Sequence, residues 1–338
     1  MATRDRAKEL AASIVLAQGN VFIKELLREK ELRIGATKAD FDRSLREAID
    51  AGQITVQDLE EWLHRIEGWG EQYVYLYRVD ESFAKLRRWA RPDEVKKWVV
   101  GAELAEKWDA PVALGFPPTL SLTRVEYREG ALRIVWQQGS ETWVRDPTKD
   151  YEEVIEDDRY RFQASRHRAE RQVVRFELRP ADRLAAEFVS LPASSPTHRD
   201  ALEQVRTTIE PLVPRANLTS FNVSRAIRRL DDLQLGDPGA FRTQTSRLSG
   251  QGAYVEFGST VPDRGYGDVE PIREIRRAVL TDQVAGDTAT ILFTAPAEMR
   301  PARDIRVVFY GGAKRIWIRA RMTAEQVWHL LDLIQGTA

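Results

Sequence analysis

Near residue 115 the spacing of the apolar residues changes, and this constrains the fold more than any other feature of the chain. Before that point apolar side chains recur every three to four residues, as on one face of a helix. Leu10, Ile14 and Ala17 share a face over 5–18, and Phe22, Ile23, Leu26 and Leu27 over 21–30. Phe41, Leu45 and Ile49 do so over 38–51, and Leu59, Trp62, Leu63 and Ile66 form a fourth helical segment. Thr37 and Thr55 stand where N-caps belong, and Thr55 with Asp58 resembles a capping box. Gly68 and Gly70 interrupt the pattern. Tyr73–Tyr77 fits either a short strand or the opening of a helix, while 82–89 and 92–108 read as helical. Gly115-Phe116-Pro117-Pro118 is a turn.

Beyond that turn the period is 2. Leu120–Arg128, Ala131–Trp136 and Glu141–Arg145 read as strands, with Glu129-Gly130 and Gln138-Gly139 as hairpin turns. Tyr151–Ile155 and Tyr160–Ala164 add a further hairpin. Val173–Leu178 alternates so that Val173, Arg175 and Glu177 form one wet face. Pro180–Phe188 reads as a helix and 190–197 as a linker. Further on, helices are expected at 199–211 and 222–234, and strands at 252–257, 288–294, 304–310 and 314–320. Gly311-Gly312 supplies a hairpin turn, and Thr323 with Gln326 caps a final helix. The fold class is therefore α+β. The expected units are a helical domain over 1–112, a small mixed sheet over 118–190, and an α/β domain over 198–338, either separate from that sheet or continuous with it.

Composition narrows the function. The chain has no cysteine, which excludes disulfides, thiolate metal sites and a cysteine nucleophile. Its four histidines (His64, His167, His198 and His329) have no metal-ligand spacing. His64 and His329 follow apolar or aromatic residues on helices and read as boundary residues. No nucleophile elbow, metalloprotease or phosphate-loop sequence occurs. The expectation is a protein that is not an enzyme and needs no cofactor. No apolar run is long enough to span a bilayer, and the N-terminus has no secretory core, so no membrane partner and a cytoplasmic location are expected, nucleoid-associated if prokaryotic.

With 51 Lys+Arg against 52 Asp+Glu, a nucleic-acid surface has to be a local patch. Residues 150–158 hold six acids, and 159–183 hold eight Arg against Glu170, Glu177 and Asp182, an excess of 8 − 3 = +5. Arg161, Arg166, Arg168, Arg171 and Arg175 are the candidate phosphate contacts there, because the guanidinium fork binds phosphate oxygens bidentately. Tyr160, Phe162 and Phe176 interleave with them and suit base stacking. The competing reading is that the acidic stretch neutralises this run across a hairpin.

The segment VFIKELLREKELRIGATKADFDRSLR, residues 21–46, resembles the SAP module, a helix–extended loop–helix DNA-binding unit. The matching positions are Ile23, Leu26, Leu27, Leu32, Gly35, Lys38, Phe41 and Leu45. Gly35 suits a left-handed turn. The resemblance implies that Lys24, Arg28, Arg33, Lys38 and Arg43 approach phosphates. Acids interleave with these bases, so a solvated helical bundle remains the alternative. The order of a helical domain, a basic mixed sheet and a strand-rich C-terminal region is also similar to centromere protein N, the Chl4-type kinetochore family. That resemblance implies a positively charged groove between the helical and α/β parts. The expected function is a non-enzymatic DNA-binding or nucleoprotein adaptor that contacts mainly phosphates. The alternative is a scaffold subunit of a larger complex, for chromosome maintenance or defence, that pairs with a protein partner or a second copy through strand edges near 304–320.

Overall fold

The computed structural model describes residues 2–190, 196–236, 241–250, 252–261, 265–279, 284–294, 299 and 304–336. Four helices come first: α1 (Ala2–Ala17), α2 (Asn20–Glu29), α3 (Lys38–Asp50) and α4 (Val56–Ile66). Thr37 with Asp40 and Thr55 with Asp58 form complete capping boxes, which satisfy the first free N–H groups of α3 and α4. Leu10 and Ile14 from α1 pack with Ile23, Leu26, Phe41, Leu45, Leu59 and Trp62 in one core. Gly35 is not in the left-handed region. A Cβ there would lie 2.1 Å from that of Asp40, so close approach excludes a larger residue. The left-handed residue of this link is Glu31, at φ 54°.

The segment after α4 is a strand, β1 (Gly70–Val79), and it settles the layout of the molecule. In chain order there follow α5 (Pro92–Gly101), β2 (Ser121–Arg128), β3 (Ala131–Arg145), β4 (Tyr151–Ile155), β5 (Asp158–Phe162), β6 (Ser165–Arg179), β7 (Leu184–Val189), α6 (Pro196–Ile209), β8 (Leu218–Ser220), α7 (Val223–Gly236), β9 (Phe241–Gly250), β10 (Ala253–Gly258), α8 (Glu270–Val279), β11 (Ala285–Phe293), β12 (Ile305–Tyr310), β13 (Arg315–Arg321) and α9 (Ala324–Gln335). One 11-stranded sheet runs β10-β9-β11-β12-β13-β1-β7-β6-β3-β2. Its strand pairs are antiparallel, and β8 joins β1 at Tyr77–Val79, past the stretch that β13 occupies. β1 therefore links the strands expected over 118–190 to those expected over 198–338. Thr323 and Gln326 cap α9 as the sequence indicates.

Two expectations fail here for a tertiary reason, and one strand was missed. Gln138-Gly139 is not a turn, and β3 runs unbroken from Ala131 to Arg145. Gly139 is small because Phe116 packs on it: an added Cβ would lie 2.9 Å from that of Phe116, and the Gly139 N–H donates to the Pro117 carbonyl. Leu184–Val189 is a strand, not a helix. It lies between β1 and β6 with all six residues buried, an environment that overrides the helix propensity of Leu-Ala-Ala-Glu. β9 falls in a stretch where no strand was expected.

The face of Arg175 and Glu177 is not wet. Arg124, Glu126, Arg133, Arg175 and Glu177 are all buried on one side of β2, β3 and β6. Val125, Ile134, Trp136, Val174, Phe176 and Leu178 point the other way into an apolar core with residues of α5 and α6. The sheet edges near 304–320 are not free either, because β12 lies between β11 and β13, and β13 between β12 and β1. The two ends of the strand order are β10 and β2.

Candidate functional site

The α4–β1 turn is Gly68-Trp69-Gly70, with both glycines in the left-handed region at φ 69° and 79°. A Cβ on Gly68 would strike Val173, and one on Gly70 would come within 2.0 Å of the Ala320 carbonyl oxygen. This tight turn drives Trp69 into the sheet. Its ring meets Phe188 edge-on at 5.3 Å and lies 3.9 Å from the Arg175 guanidinium. Arg175 also donates to the Glu67 carbonyl at 2.9 Å. Burial, together with the charge of Arg133, pulls its pKa down to about 10, so it stays a cation near neutral pH. Arg175 is thus a post beneath the turn and does not reach a surface ligand.

Charged groups continue outward from that post. Glu177 accepts from Arg133 at 3.0 Å and from Arg179 at 3.1 Å. Glu126 lies 3.1 Å from Arg124 and 3.3 Å from Arg128. His64, on α4, reaches down to Glu126 with Nδ1 3.4 Å from the carboxylate. Burial, then the surrounding Arg124, Arg128, Arg175 and Arg133, push the imidazole pKa down to about 2. His64 is therefore neutral, and its contact with Glu126 is not an ion pair. This layer seats the helical bundle on the sheet.

Beside the layer an open groove of about 800 Å³ lies between bundle and sheet. Its wall on the bundle side is the end of α1, Gly19 and Lys38; its wall on the sheet side is Arg166, Arg171–Val173, Ser190 and Arg321; Ile66–Glu71 lie between them. Among the described residues that line it, Lys38, Arg166, Arg171 and Arg321 stand with two acids, Glu67 and Glu71. Lys38 Nζ donates to the Leu16 carbonyl at 2.9 Å, and Arg321 to the Ala17 carbonyl at 2.8 Å and to Glu71 at 2.9 Å. Both cations sit at the negative end of the α1 dipole, which favours positive charge there. Arg171 is a strut: it donates to Glu67 at 2.7 Å, the Ala113 carbonyl at 3.0 Å and Ser13 Oγ at 3.2 Å. Its side chain is only 1% exposed. Arg166 is exposed.

The two basic sets expected from sequence thus meet in part. Lys38 from the first and Arg166 and Arg171 from the second line one groove. Lys24, Arg28, Arg33 and Arg43 do not line it. Lys24 is half-buried, Arg28 pairs with Glu25, and Arg33 and Arg43 are exposed elsewhere on the bundle. Arg161 lies on β5 directly opposite Glu152, with Asp150 lending it further negative charge. The acidic stretch does neutralise this part of the Arg run across a hairpin. The side chain of Arg168 lies outside the described residues. Arg321, the Gly68-Trp69-Gly70 turn and the neutral His64 were not singled out from sequence as parts of a site. The one available signal was a Trp between two glycines after an amphipathic helix. Among the described residues, no cluster of His, Asp and Glu could hold a metal ion, and no helix is long and apolar enough to cross a membrane. In comparisons with protein-family models and with curated proteins, nothing matches the chain.

Proposed function

We propose that the chain is a non-enzymatic nucleic-acid-binding adaptor that holds the phosphate backbone of double-stranded DNA in the groove between the helical bundle and the sheet. The observation that carries this reading is convergence. Lys38, Arg166 and Arg321 come from segments more than a hundred residues apart, and all border one open groove with a cationic excess. Phosphate oxygens would replace the Leu16 carbonyl as acceptor for Lys38 at an exposed bond, and the Ala17 carbonyl as acceptor for Arg321 at a part-buried one. Contacts of this kind set position and carry little sequence information. The reading keeps one element of each resemblance: Lys38 of the SAP-like segment, and a basic groove between helical and α/β parts as in centromere protein N.

Three phosphate contacts give a salt slope of about −2.7, so raising salt from about 50 to 200 mM weakens binding roughly 40-fold. Fluorescence anisotropy with labelled duplex measures this directly. Lys38→Glu and Arg166→Glu should each weaken binding at about 50 mM salt and flatten the slope by about 1. Arg161→Glu should leave affinity within about twofold, since its charge is already balanced in the hairpin. Absence of duplex binding at low salt, or equal loss in Arg161→Glu and Lys38→Glu, refutes the groove.

A further inference from the structure

Strands β11, β12 and β13 have one covered face. On it Ile291, Val307, Phe309, Ile316 and Ile318 pack with residues of α7 and α9. Side chains alternate along a strand, so the residues between these point to the other side. No residue of β11, β12 or β13 belongs to the core under α5 and α6. Among the described residues, what borders this second face is the start of α6. There His198 Nε2 lies 3.0 Å from Tyr75 Oη, and its ring meets Tyr73 edge-on at 5.4 Å. Beyond Tyr73 the face is open: Thr288 and Arg319 are exposed, and Arg306, Tyr310, Arg315 and Trp317 are half-buried.

The register sets these side chains in rows across the strands. Tyr73 stands opposite Trp317, Trp317 opposite Val308, and Val308 opposite Thr290. The next row runs from Arg315 to Tyr310, Thr288 and Arg247. On the other flank Arg306 stands opposite Leu292. Tyr73 and Trp317 stack at 5.6 Å with their planes 17° apart. Arg315 lies 4.9 Å from the Tyr73 ring and 5.0 Å from that of Tyr310, and Arg319 lies 4.8 Å from that of Trp317. β12 and β13 carry no acid. Arg306, Arg315 and Arg319 make no ion pair among the described residues. Asp287 at the end of β11 is held by Arg247 at 3.7 Å and Ser249 at 2.9 Å. Flat rings interleaved with uncompensated guanidinium groups match a polyanion whose bases are unpaired, because every base has a π-face and every phosphate a charge. A duplex hides its base faces and cannot use the rings. An acidic peptide meets the cations but brings no ring to stack. Neither strand has a carboxylate or amide side chain to accept from a ribose 2′-hydroxyl, which favours DNA over RNA. We propose that this face, turned away from α7 and α9, binds single-stranded DNA, with bases stacked on the Tyr73–Trp317 platform and Tyr310 and phosphates held by Arg306, Arg315 and Arg319. From β9 to β1 it offers about 19 Å across the strands.

Fluorescence anisotropy of the full chain with labelled oligo(dT) of about 15 nucleotides tests the face. Three phosphate contacts on a single strand give a salt slope of about −2.1, so binding should weaken roughly 20-fold between about 50 and 200 mM salt. Trp317→Leu removes a ring and no charge, so it should weaken binding at least about fivefold and leave the slope unchanged. Arg306→Gln/Arg319→Gln should flatten the slope by about 1.4. Circular dichroism establishes that each variant is folded. Lys38→Glu/Arg166→Glu should keep oligo(dT) affinity within about twofold, so failure of the groove and failure of this face are read apart. No oligo(dT) binding at about 50 mM salt, full affinity in Trp317→Leu, or loss of binding in Lys38→Glu/Arg166→Glu overturns the proposal. So does oligo(U) bound more than about tenfold tighter than oligo(dT), or polyglutamate that displaces oligo(dT) at equal charge.

Discussion

His64 gives a measurable handle on the contact that forms the groove. Unfolded histidine titrates near pH 6.5, whereas His64 in the folded chain is held down to about 2. Between those values the unfolded chain binds one more proton than the folded one, so stability rises with pH across the window and falls as pH drops below 6.5. Each pH unit corresponds to 1.36 kcal/mol, so acidification from pH 7 to 4.5 removes about 2–3 kcal/mol through this residue. That is a large share of the roughly 5–15 kcal/mol that holds an ordinary domain folded. The effect is separable from the carboxylates. Asp58, which the Lys30 ammonium at 2.5 Å and Thr55 hold near pKa 2, contributes stability that is lost only below about pH 4, as pH falls toward 2. Urea unfolding followed by tryptophan fluorescence at pH 7, 5.5 and 4.5 checks this, comparing wild type with His64→Gln. Wild type should lose about 2–3 kcal/mol more than the variant between pH 7 and 4.5. Identical pH dependence in the two proteins refutes a neutral, buried His64 and with it the charged layer as described.

Other substitutions probe the same seat. Gly70→Ala combines a left-handed backbone with a Cβ driven toward the Ala320 carbonyl, and should cost about 2–4 kcal/mol in urea unfolding; a cost below about 0.5 kcal/mol contradicts the turn. Arg175→Ala leaves the Glu67 carbonyl without its donor and a void under Trp69, and should cost about 3 kcal/mol with a shifted tryptophan emission. Thr323→Ala removes the α9 cap and should cost about 1 kcal/mol, read as a lower Tm without a change in duplex affinity.

The helical bundle was largely legible in the sequence because its signals are local. Ile23, Leu26, Phe41 and Leu45 recur at helical spacing and are all fully buried, and the Thr37, Thr55 and Thr323 caps stand where the residues indicate. The α+β class was legible from the change of period. Errors arose where a residue's surroundings come from far along the chain. Gly139 resembles a turn glycine until Phe116 is laid against it. Leu184–Val189 resembles a helix until β1 and β6 flank it. The Arg175 and Glu177 alternation is the pattern of a solvated face, and nothing in β6 alone reveals that Trp69 and α4 cover it. An Arg-rich strand reads identically whether its cations meet phosphate, an aromatic ring or a carboxylate.

The groove is the least legible feature and follows from a single topological fact. β1 continues directly from α4 into the centre of the sheet, with β7 on one side and β13 on the other. That placement brings Arg321 at the end of β13 and Arg166 and Arg171 on β6 to the same turn that ends the helical bundle. Arg171 ties Ser13, Glu67 and Ala113 together, and Arg321 ties Ala17 to Glu71, so both walls are braced by the protein's own cations before any ligand arrives. On the proposed reading, a groove braced in this way loses little conformational freedom when a stiff duplex backbone fills it. On that reading Arg171 stays a strut, and the phosphate contacts fall to Lys38, Arg166 and Arg321, the last by exchanging its Ala17 carbonyl partner for phosphate. Three contacts of the kind proposed predict binding that rising salt readily reverses.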